Sequence, residues 1–351
     1  MFESLKTSFS DVELIELQER LDEYRIVIRS SLCSPSRALE HTDEIFNLAE
    51  KLSPRDRYEL EIDFDGDASA ITKVGDVGRG LAREHIEECI DSGTVTYTIT
   101  IRKPKDSCVS IYSLEAFGTY LRSESLSILF SALSTRFGDK LLFECKELDN
   151  VAGSQTIQFI PWGQGSEDIK ADDLDRSVVL GAFKENSFSL GMNRVFLPSD
   201  FWLGKRTWVP DIDAFMDKAC SVLSAIFISS NSEIASGEKL RYKILGYKTI
   251  EGELCFSELK SARSQLFKIY AWAYASGGSA DRIGLARNVL SLHIDRLQDV
   301  AKELGLWNAI YSNYQVYLKE NVASYLEIKN KISEFLIEST TKAHNLVDQL
   351  V

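Results

Sequence analysis

The stretch from Leu318-Lys319-Glu320-Asn321-Val322 through Lys329-Asn330-Lys331-Ile332 to Asn345-Leu346-Val347-Asp348-Gln349-Leu350-Val351 decides how this chain is organised. Leu318, Val322, Tyr325, Lys329, Ile332, Leu336, Ser339, Ala343, Leu346 and Leu350 recur at alternating steps of four and three, and all but Lys329 and Ser339 are apolar. A sustained period of about 3.5 residues predicts a helix that lies along partner helices, in the same chain or in other copies. If it starts near Trp307, its length is about 65 Å at ~1.5 Å per residue, which one small domain buries poorly. Leu318, Val322, Tyr325, Ile332, Leu336, Leu346 and Leu350 are therefore the expected oligomerisation face, and the chain is expected to be a homo-oligomer. The pattern is still in phase at Val351, with Asp348 in the last turn and no Gly or Asn after it, so a membrane-embedded continuation beyond Val351 is expected.

Upstream, the spacing of Leu14, Ile15, Leu17, Leu21, Tyr24 and Ile28 predicts a helix, and a second amphipathic run covers Ala38 to Leu52. The period changes to two at Tyr58, Leu60, Ile62 and Phe64, and again at Val95, Tyr97, Ile99 and Ile101, which predicts strands with one wet face. Leu141–Cys145 and Thr156–Ile160 read as further strands with a helix over Leu126–Phe137 between the two regions, and Ser177–Phe183 and Ser187–Leu197 as short strand-like stretches. Pro161-Trp162-Gly163-Gln164-Gly165 and the acidic run Glu167 to Asp175 mark an exposed loop. Helices are expected from Pro210, from Ser257 to about Ala275, and from a cap at Ser279 and Asp281 to Leu304. The fold class is α+β: a mixed N-terminal region over 1–200, a mainly helical region with a basic segment over 201–306, and the heptad helix over 307–351.

The 351 residues are 44% hydrophobic and 26% charged, the composition of a folded protein long enough for about two domains. A net charge of -13 disfavours global attraction to duplex DNA. Residues 201–300 nevertheless carry 13 basic against 11 acidic side chains. No basic-then-apolar leader opens the sequence, and six scattered cysteines fit a reducing cytosol, so the expected location is cytoplasmic, as the cytosolic part of an inner-membrane protein.

Within the basic segment, Lys239, Arg241 and Lys243 fall at period two, with Lys248 beyond them and Tyr242 and Tyr247 interleaved. Lys260, Arg263 and Lys268 follow beside Tyr270 and Trp272, and Lys205, Arg206 and Trp208 form a third cluster. Cations alternating with flat rings suit a nucleotide or single-stranded oligonucleotide, because phosphates need counter-charge and bases need stacking faces. The ligand-binding candidates are Lys239, Arg241, Lys243, Lys248, Arg263 and Lys268. The catalytic alternative is Asp139, Glu144 and Lys146, a D…E-x-K arrangement in which two acids would hold Mg²⁺ and the lysine would steady the attacking water. Asp139 sits only five residues before Glu144, closer than the restriction-type nuclease pattern has it. The glycines of Gly75-Asp76-Val77-Gly78-Arg79-Gly80 could offer N–H groups to a phosphate, though not in a recognised order. His85 and Cys89 could share a metal but lack a second pair, and no nucleophile elbow occurs. Neither a metal set nor a cofactor is read from the sequence.

Ile269-Tyr270-Ala271-Trp272-Ala273-Tyr274, Asp281-Arg282-Ile283-Gly284-Leu285-Ala286-Arg287-Asn288-Val289-Leu290-Ser291-Leu292-His293, and the two runs Tyr317–Val322 and Lys329–Ile332 resemble bacterial membrane-anchored proteins of anti-phage defence loci. The channel-type effectors of nucleotide-signalling systems, such as Hailong, are the class they resemble, over about the last 90 residues. The resemblance implies a non-enzymatic sensor domain, oligomerisation, and gating of a membrane pore by a nucleotide or oligonucleotide. Two other readings stand beside it, a Mg²⁺-dependent nuclease and a protein-binding scaffold.

Overall fold

A period of two, not the helical spacing, governs the start of the chain. In the computed structural model, which describes residues 5–73, 75–88, 92–165, 167, 175–190, 195–275 and 277–348, a short helix α1 (Leu5–Ser8) leads into an antiparallel hairpin of β1 (Val12–Glu19) and β2 (Glu23–Cys33). This corrects the helix expected from the spacing of Leu14 to Ile28. Tyr24, Ile26, Ile28 and Ser30 of β2 all point inward and are buried. The strand register shifts between Leu14 and Glu16, leaving Ile15 as a bulge. A bulge adds one residue to one strand, so Leu14 and Leu17 pack on the same core although three residues apart, which imitates a helical step.

The next elements follow their sequence patterns. Ser34 caps α2 (Pro35–Ala49), its hydroxyl accepting from the Arg37 N–H at 3.3 Å, with Pro35 in the first turn where no donor is needed. Tyr58, Leu60, Ile62 and Phe64 are buried along β3 (Arg57–Phe64), followed by β4 (Asp67–Ile71), α3 (Asp76–Glu87) and β5 (Gly93–Arg102). The five strands form one antiparallel sheet in the order β1-β2-β5-β3-β4, and α2 and α3 pack together beside it.

From Cys108 onward the chain builds around a second core. A mixed sheet of order β6-β7-β9-β8 comprises β6 (Cys108–Ile111), β7 (Leu141–Cys145), β8 (Ala152–Gly153) and β9 (Ile157–Pro161), with α4 (Leu114–Ser123) and α5 (Leu126–Ser134) between β6 and β7. α6 (Arg176–Asn186) replaces the strand expected at Ser177–Phe183: Asp175 caps it, and Val179 and Phe183, four apart, are its buried residues. A third sheet, β10-β11-β12-β13, is formed by β10 (Phe188–Leu190), β11 (Asn231–Ala235), β12 (Lys239–Leu245) and β13 (Thr249–Cys255). Between β10 and β11 runs α7 (Pro210–Ile228), buried without interruption from Ala219 to Ile228 and so apolar nearly all round.

The helix expected over Ser257–Ala275 divides into a 3₁₀ turn (Phe256–Leu259) and α8 (Arg263–Ala273). The next ends at His293 as α9 (Ser279–His293), with a separate 3₁₀ turn at Leu297–Ala301. Gly278, at φ +71°, occupies the cap position of α9 in place of a side-chain cap from Ser279 or Asp281. The final helix, α10 (Leu306–Asp348), has the length that the heptad predicts. One buried cluster gathers residues from Leu5 to Tyr112, and the other gathers Leu21 with Val109 through Ile310. The cores therefore divide near residues 103–108, and position 200 falls inside the second.

One buried ion pair sits at that division. Glu19, the last residue of β1, and Lys103, just past β5, have side chains with no solvent exposure and are bonded to each other. The second Glu19 oxygen accepts the backbone N–H groups of Tyr112 (3.0 Å) and Ser113 (2.8 Å), and Lys103 Nζ also donates to the Arg20 carbonyl at 2.8 Å. Removing one partner of such a pair strands the other, so Glu19→Ala is expected to cost about 3–5 kcal/mol in urea denaturation. Burial pushes the Glu19 carboxyl up to about 7 from its ordinary 4.5, against the pull of Lys103. A raised carboxyl contributes stability that is complete below 4.5 and is lost as pH rises through about 7. The melting temperature should therefore contain a component that falls across that window, and Glu19→Gln should flatten it.

Candidate functional site

The strand β12 presents Lys239, Arg241 and Lys243 on one face, as their period requires, but the neighbouring strands place acids opposite them. Lys239 pairs with Glu253 at 2.9 Å, Arg241 with Glu253 at 2.9 Å and Glu233 at 3.2 Å, and Lys243 with Glu251 at 2.8 Å. Lys248 pairs with Asp295 at 2.7 Å. Tyr242 is buried, and its hydroxyl accepts from the Leu297 N–H at 3.0 Å, so its ring is no stacking platform. This face is a ladder of alternating charge, close to neutral over the length that a phosphate backbone would need as a cationic track.

The nuclease candidates are not brought together. Glu144 accepts from Arg55 at 2.9 Å and from the Gly163 N–H at 2.9 Å. Lys146 lies 4.7 Å from the centre of the Trp162 ring. Asp139 is in the turn before β7, outside the strand that carries Glu144. Neither acid belongs to a group close enough to share a metal among the described residues. In the glycine motif α3 already starts at Asp76, and a Cβ on Gly78 would meet the Lys73 carbonyl at 2.0 Å and the Phe46 ring at 2.8 Å. Helix packing, with an acid in the first turn, thus explains that glycine. Cys89, the suggested partner of His85, lies outside the described residues.

Three cations from two separate sequence clusters do meet. Arg206, Lys260 and Arg263 line one cavity of about 510 Å³, together with Asp213, Asp217, Lys218 and Glu238. The start of α7 forms one wall, and the Phe256–Leu259 turn with the start of α8 forms another. Lys218 is held by Glu238 at 3.0 Å. Asp217 is shared: it pairs with Arg263 and, at 3.2 Å, with Arg206. Burial, and then the neighbouring Arg206, lower the Arg263 pKa from its ordinary value. Lys260 has no ion pair among the described residues. Arg263 also lies 5.4 Å over the Trp202 ring, which stacks on Phe267 at 4.1 Å.

Arg206 and Pro210, at the two ends of one short loop, both line this cavity. Thr207 is buried, and its N–H (3.0 Å) and hydroxyl (2.8 Å) both donate to Asp213. That anchor holds Trp208 at φ +65° with 86% of its surface exposed. A bulky residue in the left-handed region costs about 1–3 kcal/mol, and the ring recovers almost nothing by packing.

The heptad face is outside the core. Leu318, Val322, Tyr325, Ile332 and Leu336 are all exposed, as are Leu326, Ile328 and Phe335 beside them. The side chain of Leu346 and all of Leu350 lie outside the described residues. Among the described residues of α10 only the root is embedded: Leu306 and Ile310 are buried, and Trp272 of α8 meets Trp307 and Tyr314 edge-on at 5.9 and 5.2 Å. Arg282 of α9 binds the same junction, donating to the carbonyls of Trp272 and Ala275 and to the Tyr314 hydroxyl. Lys268, expected at a ligand, instead sits 4.3 Å over the Trp307 ring. No helix among the described residues is long and apolar enough to cross a membrane.

Neither a family model nor a curated protein nor a solved structure matches the chain. Sequence reading missed the Trp208 conformation, for which the adjacent Thr207 and the later Asp213 were the available signal. Trp208→Gly should leave the melting temperature unchanged or raise it, by up to about 1 kcal/mol in stability, since glycine adopts the left-handed region freely. A large loss in thermal denaturation would instead mean that the ring supports the fold.

Proposed function

We propose that this chain is a non-enzymatic sensor in which the cleft of Arg206, Lys260 and Arg263 takes a nucleotide-type anion and α10 assembles copies. The observation that carries the reading is the position of α8. Its first residue, Arg263, lines the cleft, and Trp272 near its other end packs against the root of α10. One rigid element of eleven residues therefore joins the ligand site to the projecting helix. A phosphate would pair first with Lys260, which has no ion pair among the described residues, next to Arg206 and Arg263, and Trp208, two residues from Arg206, offers an exposed ring that suits a base.

The stripe on α10 supplies the second half. Leu326, Ile328 and Phe335 flank the heptad positions, so the apolar surface is wider than a two-stranded seam and is best covered by more than two parallel helices. Lys329 and Ser339 within the seam would fix register at some cost in stability. Ligand occupancy then biases assembly by its different affinity for two packings of α8 and α9 on the root of α10. The same reading accommodates the role that the resemblance to channel-type defence effectors implies, in which assembly is passed to membrane-embedded segments.

Calorimetry with nucleoside mono-, di- and triphosphates and short single strands, alongside sedimentation, tests the proposal. Lys260→Glu should weaken binding at least tenfold and leave ligand-free assembly intact; Ile332→Asp should abolish assembly and leave binding intact. Wild-type assembly should shift about fivefold or more on saturation. Assembly without any nucleotide binding would favour the scaffold reading, and a chain that is monomeric and binds none of these ligands would overturn the proposal.

A further inference from the structure

We propose that Asp11, Cys33 and His41 form a divalent-metal site of the zinc class, independent of the cleft and of α10. The three residues converge from separate elements: Asp11 precedes β1, Cys33 ends β2, and His41 lies in α2. One potential ligand atom from each lies within 4.8 Å of the other two. His41 Nε2 is 3.3 Å from Asp11 Oδ2, and Cys33 Sγ is 3.9 Å from His41 Nδ1. Ligand atoms around a tetrahedral metal with bonds of about 2.0–2.3 Å stand roughly 3.3–3.7 Å apart. A metal takes only one imidazole nitrogen, and with one ligand atom from each residue no more than 4.8 Å from the others, the set reaches that spacing by shifts of up to about 1.5 Å.

A second observation points the same way. His41 is 1% exposed, and its Nε2 is shut off from solvent with no hydrogen-bond partner. A buried imidazole nitrogen normally makes a well-formed hydrogen bond, and this one instead faces a carboxylate at 3.3 Å without one, a donor arrangement that suits a cation. The surroundings also orient the ligands. Ser30 donates to Asp11 Oδ2 at 3.0 Å, Arg37 donates to Oδ1 at 3.3 Å, and the Phe9 ring meets the imidazole edge-on at 4.4 Å. Such second-layer contacts fix carboxylate and ring orientation in metal centres.

Charge decides which ion fits. A Cys33 thiolate and the Asp11 carboxylate together neutralise a divalent cation, which a buried site requires, and sulfur with imidazole selects zinc over magnesium or calcium. Binding releases the Cys33 proton to solvent as the sulfur–metal bond forms. Three protein ligands leave a fourth position for water, on the flank where Asp11 remains partly exposed. The alternative use of a thiol–imidazole–carboxylate row, as a nucleophile, needs a substrate to reach a sulfur that is only 2% exposed.

The test is titration of the full chain, stripped with a chelator, with Co²⁺ and then Zn²⁺. One Co²⁺ per chain with a thiolate-to-cobalt absorption band in the near ultraviolet, displaced by Zn²⁺, is expected. Cys33→Ser should remove the band, and Ser30→Ala should weaken binding by about 10- to 100-fold while keeping all three ligands. His41→Gln should lose tight binding, and if it does not fold, the Cys33 and Ser30 variants decide. A folded, stripped chain that gives no thiolate band, or a Cys33→Ser variant that keeps it, would falsify the site.

Discussion

The Glu19–Lys103 pair is the constraint on which the rest of the structure depends. It lies where the antiparallel sheet meets the second core, and each partner is fully enclosed. A buried ion pair gains little net stability over apolar residues of the same shape, because desolvation offsets most of the attraction. What it does impose is geometry. Glu19 has one oxygen on Lys103 and the other on the Tyr112 and Ser113 amides, and Ser113 is itself the cap of α4. Any rotation between the two halves would leave an uncompensated carboxylate, an ammonium and two amides in a dry interior. The end of β1, the exit of β5 and the start of α4 are thereby held in one arrangement.

Legibility in the sequence followed the range of the interactions. β3 and β5 could be read because Tyr58, Leu60, Ile62 and Phe64, and Val95, Tyr97, Ile99 and Ile101, alternate without a break. α10 could be read because its period persists for over thirty residues. The β1–β2 hairpin could not, since the bulge at Ile15 moved Leu17 into a helix-like step from Leu14. That one misreading also concealed Asp11, Cys33 and His41, which a continuous helix would have spread along its length, whereas a hairpin returning to α2 gathers them. The cations on β12 were placed on the correct face, yet their neutralisation depends on Glu233, Glu251 and Glu253 in the adjacent strands and, for Lys248, on Asp295, forty-seven residues away. A count of 13 bases against 11 acids over residues 201–300 contains those acids, but not which cation each one faces.

That distinction separates the two basic features of the chain. On β12 each cation has its own carboxylate or shares two, and cross-strand pairing positions them side by side. An incoming phosphate would have to displace paired acids. In the cleft, Arg206 pairs with both Asp213 and Asp217 and Arg263 with Asp217, while Lys260 has no ion pair among the described residues. With Lys260 unmatched, the four cations lining the cleft outnumber its three acids by one inside a concave surface, where fewer water molecules screen the charge. An acidic chain of net charge -13 repels anions at long range, so the proposed anion site would depend on that local surplus.

The strained loop beside the cleft follows from the same economy of contacts. Thr207 and Asp213 fix the backbone by two hydrogen bonds, and the conformation they select forces Trp208 into the left-handed region with its ring in solvent. A fold under no other demand would place glycine there, or bury the indole. The nearby aromatic residues Trp202, Phe267, Trp272 and Trp307 are all packed, each against another ring. Trp208, by contrast, is held outward against local backbone preference, two residues from Arg206. The strain is thus confined to one position while the surrounding packing is complete, and the stacked Trp202–Phe267 pair behind Arg263 backs the start of the helix that leads to the root of α10.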